Sequence, residues 1–370
     1  MAESRLHQLV ACGQSVWIDS LSREMLETGE LERLIREDAV TGVTSNPTIF
    51  QKALAEGDWY DSELSGLASL DDPREVFFRL SEHDVADACD LLLPVHEATG
   101  GVDGYVSIEV DPNLAYDTEP SYEQALRFHK EIDRPNLYVK IPATRPGLPA
   151  IEDAIAAGHS INITLIFSLR RYAEVVDAYL RGLERRVAGG GDVSRINSVA
   201  SFFVSRVDTE ADKRLEKIGS PEALALRGKL AVANAKLAYR RFQGAFSGER
   251  WEYLVSKGAR VQRCLWASTS TKNPEYSDTL YVDSLVGPDT VNTMPIETVR
   301  AFQDHGTVEQ TLTRNVDEAE RLLEQLEAVG VSYQEVVDTL EAEGVEKFSD
   351  SFAELMTGIE NKLKKLEAVG

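Results

Sequence analysis

The stretch NLYVKIPAT, residues 136–144, reads as a buried strand with a lysine inside it. Leu137, Val139 and Ile141 are the apolar strand formers expected in a parallel sheet covered on both faces. Pro142 stops the ladder because it has no N–H to donate. Lys140 falls between them, and an ammonium taken out of water is costly unless it is paired or gives up its proton. The stretch is a fold signal and a chemical one.

Similar runs recur on both sides of it. They are SVWID (15–19), GVTSN (42–46), GYVSIEV (104–110), SINITLI (160–166), INSVASF (196–202), VQRCLWAS (261–268) and TLYVDSLVG (279–287). With NLYVKIP (136–142) they make eight, and helical patterns lie between them. Asp72-Pro73-Arg74-Glu75 opens one such helix with an acidic N-cap and a proline at the first position. Eight strands alternating with helices, without a Gly-rich dinucleotide fingerprint, predict an α/β fold of one type. It is a single closed (β/α)8 TIM-type barrel rather than an open, doubly wound sheet in two domains.

Residues 1–370 are read as one barrel domain, with 315–370 as a helical C-terminal extension packed on it. In that extension Ser332-Tyr333-Gln334-Glu335 has the pattern of a capping box. Phe348, Phe352, Leu355, Ile359, Leu363 and Leu366 then fall on one helical stripe. The segment carries 14 acidic and 5 basic residues. It is expected to coat the outside of the barrel with a solvated acidic face.

The formal net charge of -23 argues against a nucleic-acid partner or an anionic membrane. A chain this acidic must gather positive charge locally to hold an anionic substrate. Cys12, Cys89 and Cys264 are odd in number and widely spaced, which speaks against a disulfide framework. His7, His83, His96, His129, His159 and His305 form no metal-binding pair. No metal and no cofactor are expected. The start, MAESRLHQLV, has no apolar leader core, and no window is apolar enough to span a bilayer, so the expected location is the cytoplasm.

In such a barrel, chemistry sits at the C-terminal ends of the strands. There the sequence places Asp19 after the first, Asn46 after the second, Glu109 near the end of the third and Lys140 near the end of the fourth. Asn162 and Thr164 lie on the fifth, Ser201 on the sixth with Arg206 beyond it, and Ser268 on the seventh with Lys272 in its loop. Taken singly, each has a plain alternative: Asp and Asn cap helices, Ser and Thr satisfy local backbone, and a strand-end lysine snorkels to water. Taken together, they converge on one face.

A lysine in an apolar site can attack a carbonyl as the neutral amine and lose water to form a Schiff base. The protonated imine is an electron sink for cleavage of a neighbouring C–C bond. This class I aldol chemistry needs a base for the hydroxyl proton, a group that handles protons as water leaves, and donors for sugar hydroxyls. The set contains all three.

These residues resemble the transaldolases of the pentose phosphate pathway. The likeness is carried by TSNPTIFQKA (44–53), SIEVDP (107–112), YVKIPAT (138–144), INITLIFS (161–168), SFFVSRVDTEAD (201–212), WASTSTKNP (266–274) and DTLYVDSLVGPDTVNTMP (278–295). Length and wording are most similar to the long bacterial subgroup. The resemblance implies a transferase that moves a dihydroxyacetone unit from sedoheptulose 7-phosphate to glyceraldehyde 3-phosphate, giving erythrose 4-phosphate and fructose 6-phosphate. It implies Lys140 as the Schiff-base lysine, Asp19 as the group exchanging the C4 hydroxyl proton, and Glu109 with Thr164 and a water as the proton shuttle of imine formation. Asn46, Asn162 and Ser201 would orient hydroxyls, Phe203 would line the pocket and Arg206 would hold the distal phosphate.

The chain departs from the commoner family pattern after the seventh strand. Where many members have a short segment with a second phosphate-binding arginine, it has ASTSTKN, longer and with a lysine, so Ser268 and Lys272 are the candidates there. The implied partners are small sugar phosphates, with a monomer or homodimer as the assembly. Two other readings share parts of this pattern: another Schiff-base aldolase that releases its product free, and a non-catalytic sugar-phosphate-binding barrel.

Overall fold

Lys140 lies in the fourth of eight parallel strands that close on themselves in sequence order. The computed structural model describes residues 4–45, 47–67, 69–70 and 72–369. The strands are β1 (Gln14–Ile18), β2 (Val40–Thr44), β3 (Tyr105–Glu109), β4 (Leu137–Pro142), β5 (Ile161–Ile166), β6 (Ser198–Phe203), β7 (Gln262–Ala267) and β8 (Thr290–Met294). β8 pairs back to β1 from Gln14↔Thr290 to Ile18↔Met294, so the sheet has no free edge. The predicted (β/α)8 barrel is the fold.

Seven strands fall where the apolar runs place them, to within a few residues. The eighth does not. Leu280–Ser284, inside the stretch read as a strand, forms a helical turn in which Thr279 Oγ1 donates to Asp283 Oδ2 at 2.7 Å. The true β8 is TVNTM, whose polar residues disguise it. Thr290 and Asn292 are fully buried and find partners within the barrel wall: Gln14 Nε2 donates to Thr290 Oγ1 at 3.0 Å, and Thr269 Oγ1 donates to Asn292 Oδ1 at 2.8 Å, which leaves only the Asn292 Nδ2 without one among the described residues. A strand with paired polar side chains needs no hydrophobic run.

The N-terminal half of the barrel interior is filled. Tyr105 and Tyr138 stack with ring centroids 4.1 Å apart, and Trp17 lies 6.1 Å from Tyr138. Trp17 Nε1 donates to Asp103 Oδ1 at 2.8 Å, and Arg263 closes the floor 3.6 Å from the same carboxylate. The indole fits because position 42 is glycine: a Cβ there would come 2.4 Å from the Trp17 ring. Chemistry is thereby confined to the opposite end.

The helix Pro73–Ala98 starts as its sequence predicts, with the Asp72 carboxylate accepting from the backbone N–H of Arg74 at 2.9 Å. The long C-terminal helix, Tyr333–Val369, departs from the expected outer coat. Near its start, the Tyr333 hydroxyl donates to Asn234 at 2.7 Å, and Glu341 pairs with Arg171 at 2.7 Å. Near its end, Lys362 donates to the carbonyls of Leu54 and Gly57 and pairs with Asp61 at 2.6 Å. The first anchors lie on the helices following β5 and β6, and the last lie in the segment following β2. The helix therefore crosses the mouth of the barrel, and its apolar stripe faces the strand ends.

Candidate active site

The C-terminal mouth holds an open cavity of about 250 Å³. Asp19, Lys140, Thr164, Ser201, Phe203, Arg206, Ser268 and Lys272 all line it. The alternation of a strand explains the convergence, because side chains two apart share a face. Asn46 lies outside the described residues.

Lys140 is buried, and its partner comes from the next strand. β3 and β4 pair Glu109 with Lys140 in register, which brings Lys140 Nζ to 2.7 Å from Glu109 Oε2. Of the two ways a buried ammonium can be tolerated, pairing or loss of its proton, the structure shows the pairing. Sequence separation concealed it, since residues 31 apart become neighbours only through parallel pairing. Lys140 Nζ also donates to the Ser45 carbonyl at 3.4 Å. Glu109 lines a second, small and mainly apolar cavity with Phe50, Phe77 and Phe352. Burial there pushes its pKa up, against the opposing pull of the Lys140 charge.

Asp19 follows β1, and its backbone N–H donates to the Met294 carbonyl at 3.1 Å. Burial lifts its carboxyl to about 6; Lys272 and Lys140 pull it down, while Glu297 adds to the rise. Two carboxylates thus sit in the same mouth in different surroundings, one touching the lysine and one across the cavity from it.

Thr164 Oγ1 is buried and has no hydrogen-bond partner among the described residues. It stands beside Leu165, whose φ of 59° lies where the pairing of β5 with β6 breaks register. Ser268 also has a left-handed backbone, φ 55°, and shares a hydrogen bond with Ser205 at 2.8 Å. Such conformations typically cost about 1–3 kcal/mol and cluster at functional sites. Asn162 is placed differently from the others. Its Nδ2 donates to Ser107 Oγ at 3.1 Å and its Oδ1 accepts from Ser201 Oγ at 2.6 Å, so it supports Ser201 from below and does not line the cavity.

At the outer end, the Arg206 guanidinium stacks on the Phe203 ring with Cζ 5.1 Å from the centroid. Its buried Nη1 has no hydrogen-bond partner among the described residues. Burial lowers its pKa, partly offset by Glu343. Lys272 is exposed and donates to Ser270 Oγ at 2.7 Å. An unpartnered guanidinium nitrogen and an exposed ammonium that line one cavity are a ready seat for an anion.

Sequence reasoning missed Ser45, Ser270 and Phe348. The two serines adjoin candidates on the same loops and could have been taken with them. Phe348 is on the C-terminal helix, half-buried, with its ring centroid 5.7 Å from Lys140 Nζ. Its stripe position signalled burial but could not say against what. Among the described residues, no group of three or more His, Cys, Asp or Glu side chains is gathered to hold a metal. Nor does any described helix have the length and apolarity to cross a membrane.

The profile of the transaldolase/fructose-6-phosphate aldolase family matches residues 16–359. The chain belongs to this family.

It is an enzyme, a transferase of the transaldolase type. It is 54% identical over 361 residues to a protein named transaldolase from Mycolicibacterium paratuberculosis, covering 97% of each chain. It is 55% identical over 362 residues to one of the same name from Thermobifida fusca, covering 97% of this chain and 98% of the other. A transaldolase from Frankia alni is 51% identical over 360 residues, with 97% of each chain covered. Family membership and the crowding of lysine, carboxylates and guanidinium into one mouth point to the same chemistry.

Proposed function

We propose that this enzyme transfers a dihydroxyacetone unit from sedoheptulose 7-phosphate to glyceraldehyde 3-phosphate, through a Schiff base on Lys140. The observation that carries the reading is the pairing of a buried lysine with a buried carboxylate at one wall of the cavity, with a second carboxylate facing it. A proton passed from the Lys140 ammonium to Glu109, whose proton affinity burial raises, leaves the amine free to attack the ketose carbonyl. Glu109 and Thr164, with a water, return protons to the departing hydroxyl. Asp19 takes the C4 hydroxyl proton as the C3–C4 bond breaks and gives it back when the acceptor aldehyde has been attacked. Ser201, Asn46 and Asn162 orient hydroxyls of the unit, Asn162 by fixing Ser201. Arg206 and Lys272, with Ser268, hold the distal phosphate against the field of a strongly acidic protein.

Borohydride trapping tests this directly. Incubation with fructose 6-phosphate and borohydride should leave a reduced dihydroxyacetone adduct on Lys140, located by peptide mass mapping. An adduct on a different lysine, or none, would overturn the assignment.

A further inference from the structure

We propose that Tyr276 is a positioning residue for phosphate recognition: its hydrogen bond to Asp212 ties the turn that carries Lys272 to the helix that carries Arg206, so that both cations meet the distal phosphate from one frame. The proposal rests on the phosphate-site reading above and deepens it.

Lys272 needs such a tie. It stands exposed in the irregular segment between β7 and the helical turn at Leu280–Ser284. That segment folds on itself around the lysine. Thr271 Oγ1 donates to the Ser277 carbonyl at 2.8 Å, and Asn273 Oδ1 accepts from the Glu275 backbone N–H at 2.9 Å. Residues 271–277 are thereby closed into one unit, and the place of Lys272 depends on what holds that unit to the barrel.

Two aspartates on one helix hold it. The helix Ser205–Ile218 carries Arg206 in its first turn, and then Asp208 and Asp212 one turn apart on a buried face. The Tyr276 hydroxyl donates to Asp212 Oδ2 at 2.6 Å, and the Tyr281 hydroxyl donates to Asp208 Oδ2 at 2.9 Å. Each carboxylate accepts at its other oxygen from a backbone N–H: Gly228 donates to Asp212 at 2.9 Å and Ala231 to Asp208 at 2.7 Å. The Tyr276 ring is seated on Gly228, where an added Cβ would come 2.8 Å from it.

Neither aspartate and neither tyrosine lines the catalytic cavity. Burying two carboxylates carries a desolvation cost that apolar packing would avoid. What the hydrogen bonds add is direction, which fixes where the segment sits. Its other ties, Arg227 to Glu275 at 2.9 Å and His305 to Asp278 at 2.8 Å, involve exposed side chains, and such ion pairs contribute little. The helix thus sets the spacing between a guanidinium on its own first turn and an ammonium on a different connection of the barrel. Spacing matters for a solvated charge, because an ammonium that drifts a few ångströms from an anion gives up much of its attraction.

The test compares kcat/KM for fructose 6-phosphate and for fructose as donors, in the whole enzyme and its variants. Tyr276→Phe deletes one oxygen and keeps the ring on Gly228. It should lower kcat/KM for fructose 6-phosphate by about threefold to tenfold, part of the worth of a hydrogen bond to a charged group, and leave the value for fructose unchanged. The loss should not exceed that of Lys272→Ala. The double variant should be no worse than Lys272→Ala alone, because without the ammonium the tie has nothing to position. Asp212→Asn, which weakens the same bond from the other side, should behave alike and serves if Tyr276→Phe does not fold by circular dichroism. An equal loss on both donors, or additive losses in the double variant, would make the bond a support of the fold only and overturn the proposal. Wild-type kinetics in a folded variant would overturn it as well. Lys272→Ala separates the two levels. If its loss is confined to fructose 6-phosphate while Tyr276→Phe matches the wild type, only the role of Tyr276 falls. If its loss is equal on both donors, the phosphate reading of Lys272 falls and the role of Tyr276 with it.

Discussion

Lys140 Nζ and Glu109 Oε2 lie 2.7 Å apart, on residues paired in register between adjacent parallel strands. A buried ammonium is thereby given both a counter-charge and a proton acceptor. Glu109→Gln should keep the shape and remove the acceptor. Adduct formation, followed by stopped borohydride trapping, should slow by about 10²–10⁴-fold, the usual worth of a general acid–base group. Lys140→Arg should lose activity altogether while retaining the folded circular dichroism spectrum, since a guanidinium keeps the charge but is no nucleophile.

Asp19 acts at a later step. Asp19→Asn should still form the adduct but fail to cleave it, so that trapped donor accumulates as the six-carbon species. In the wild type, single-turnover cleavage from a preformed adduct should fall as pH drops through about 6, where the carboxyl regains its proton.

The same carboxyl predicts a cost in stability. Its folded pKa of about 6 stands above the unconstrained 3.8, so the native state binds the proton more tightly than the unfolded chain. Stability should therefore decline as pH rises from 3.8 through about 6. Asp19→Asn should raise Tm at pH well above 6, and the gain should vanish below 3.8, where both forms of the wild type are neutral. Thermal scans of both proteins across that window check the sign, and a variant less stable than wild type at high pH would refute it.

Arg206 and Lys272 differ in burial, and their losses should differ accordingly. Arg206→Ala removes a half-buried guanidinium with a buried, unpartnered nitrogen, so KM for phosphorylated ketoses should rise strongly and kcat should fall with it. Lys272→Ala removes an exposed, flexible charge and should do the same less severely. For an unphosphorylated ketose both changes should matter little. Equal loss of kcat/KM on both substrate types for Lys272→Ala would move the second phosphate contact elsewhere.

Gly42 tests the filled half of the barrel. A Cβ at that position would meet the Trp17 indole at 2.4 Å. Gly42→Ala should cost about 1–3 kcal/mol by overpacking, read as an earlier midpoint in urea.

Much of this was written in the sequence. Seven of the eight strands declare themselves by apolar runs, because a barrel strand buried on both faces has few polar choices. The candidate side chains are legible for the same reason: a polar residue near the end of such a run stands out against it. Lys140 is the plainest case. Thr290–Met294 escaped because its polar residues find partners in Gln14 and Thr269, which only the pairing of neighbouring barrel strands brings near.

What the tertiary structure alone decided is who stands next to whom. The pairing of Lys140 with Glu109 depends on strand register, and the burial that raises both carboxyls depends on what packs around them. The support of Ser201 by Asn162 depends on the pleat of two strands. Phe348 is the extreme case. Its stripe foretold an apolar face on the C-terminal helix, but only the path of that helix across the barrel mouth sets its ring over Lys140, 208 positions earlier in the chain. Periodicity is local, whereas the contacts that tune a nucleophile are made between segments that the chain itself keeps far apart.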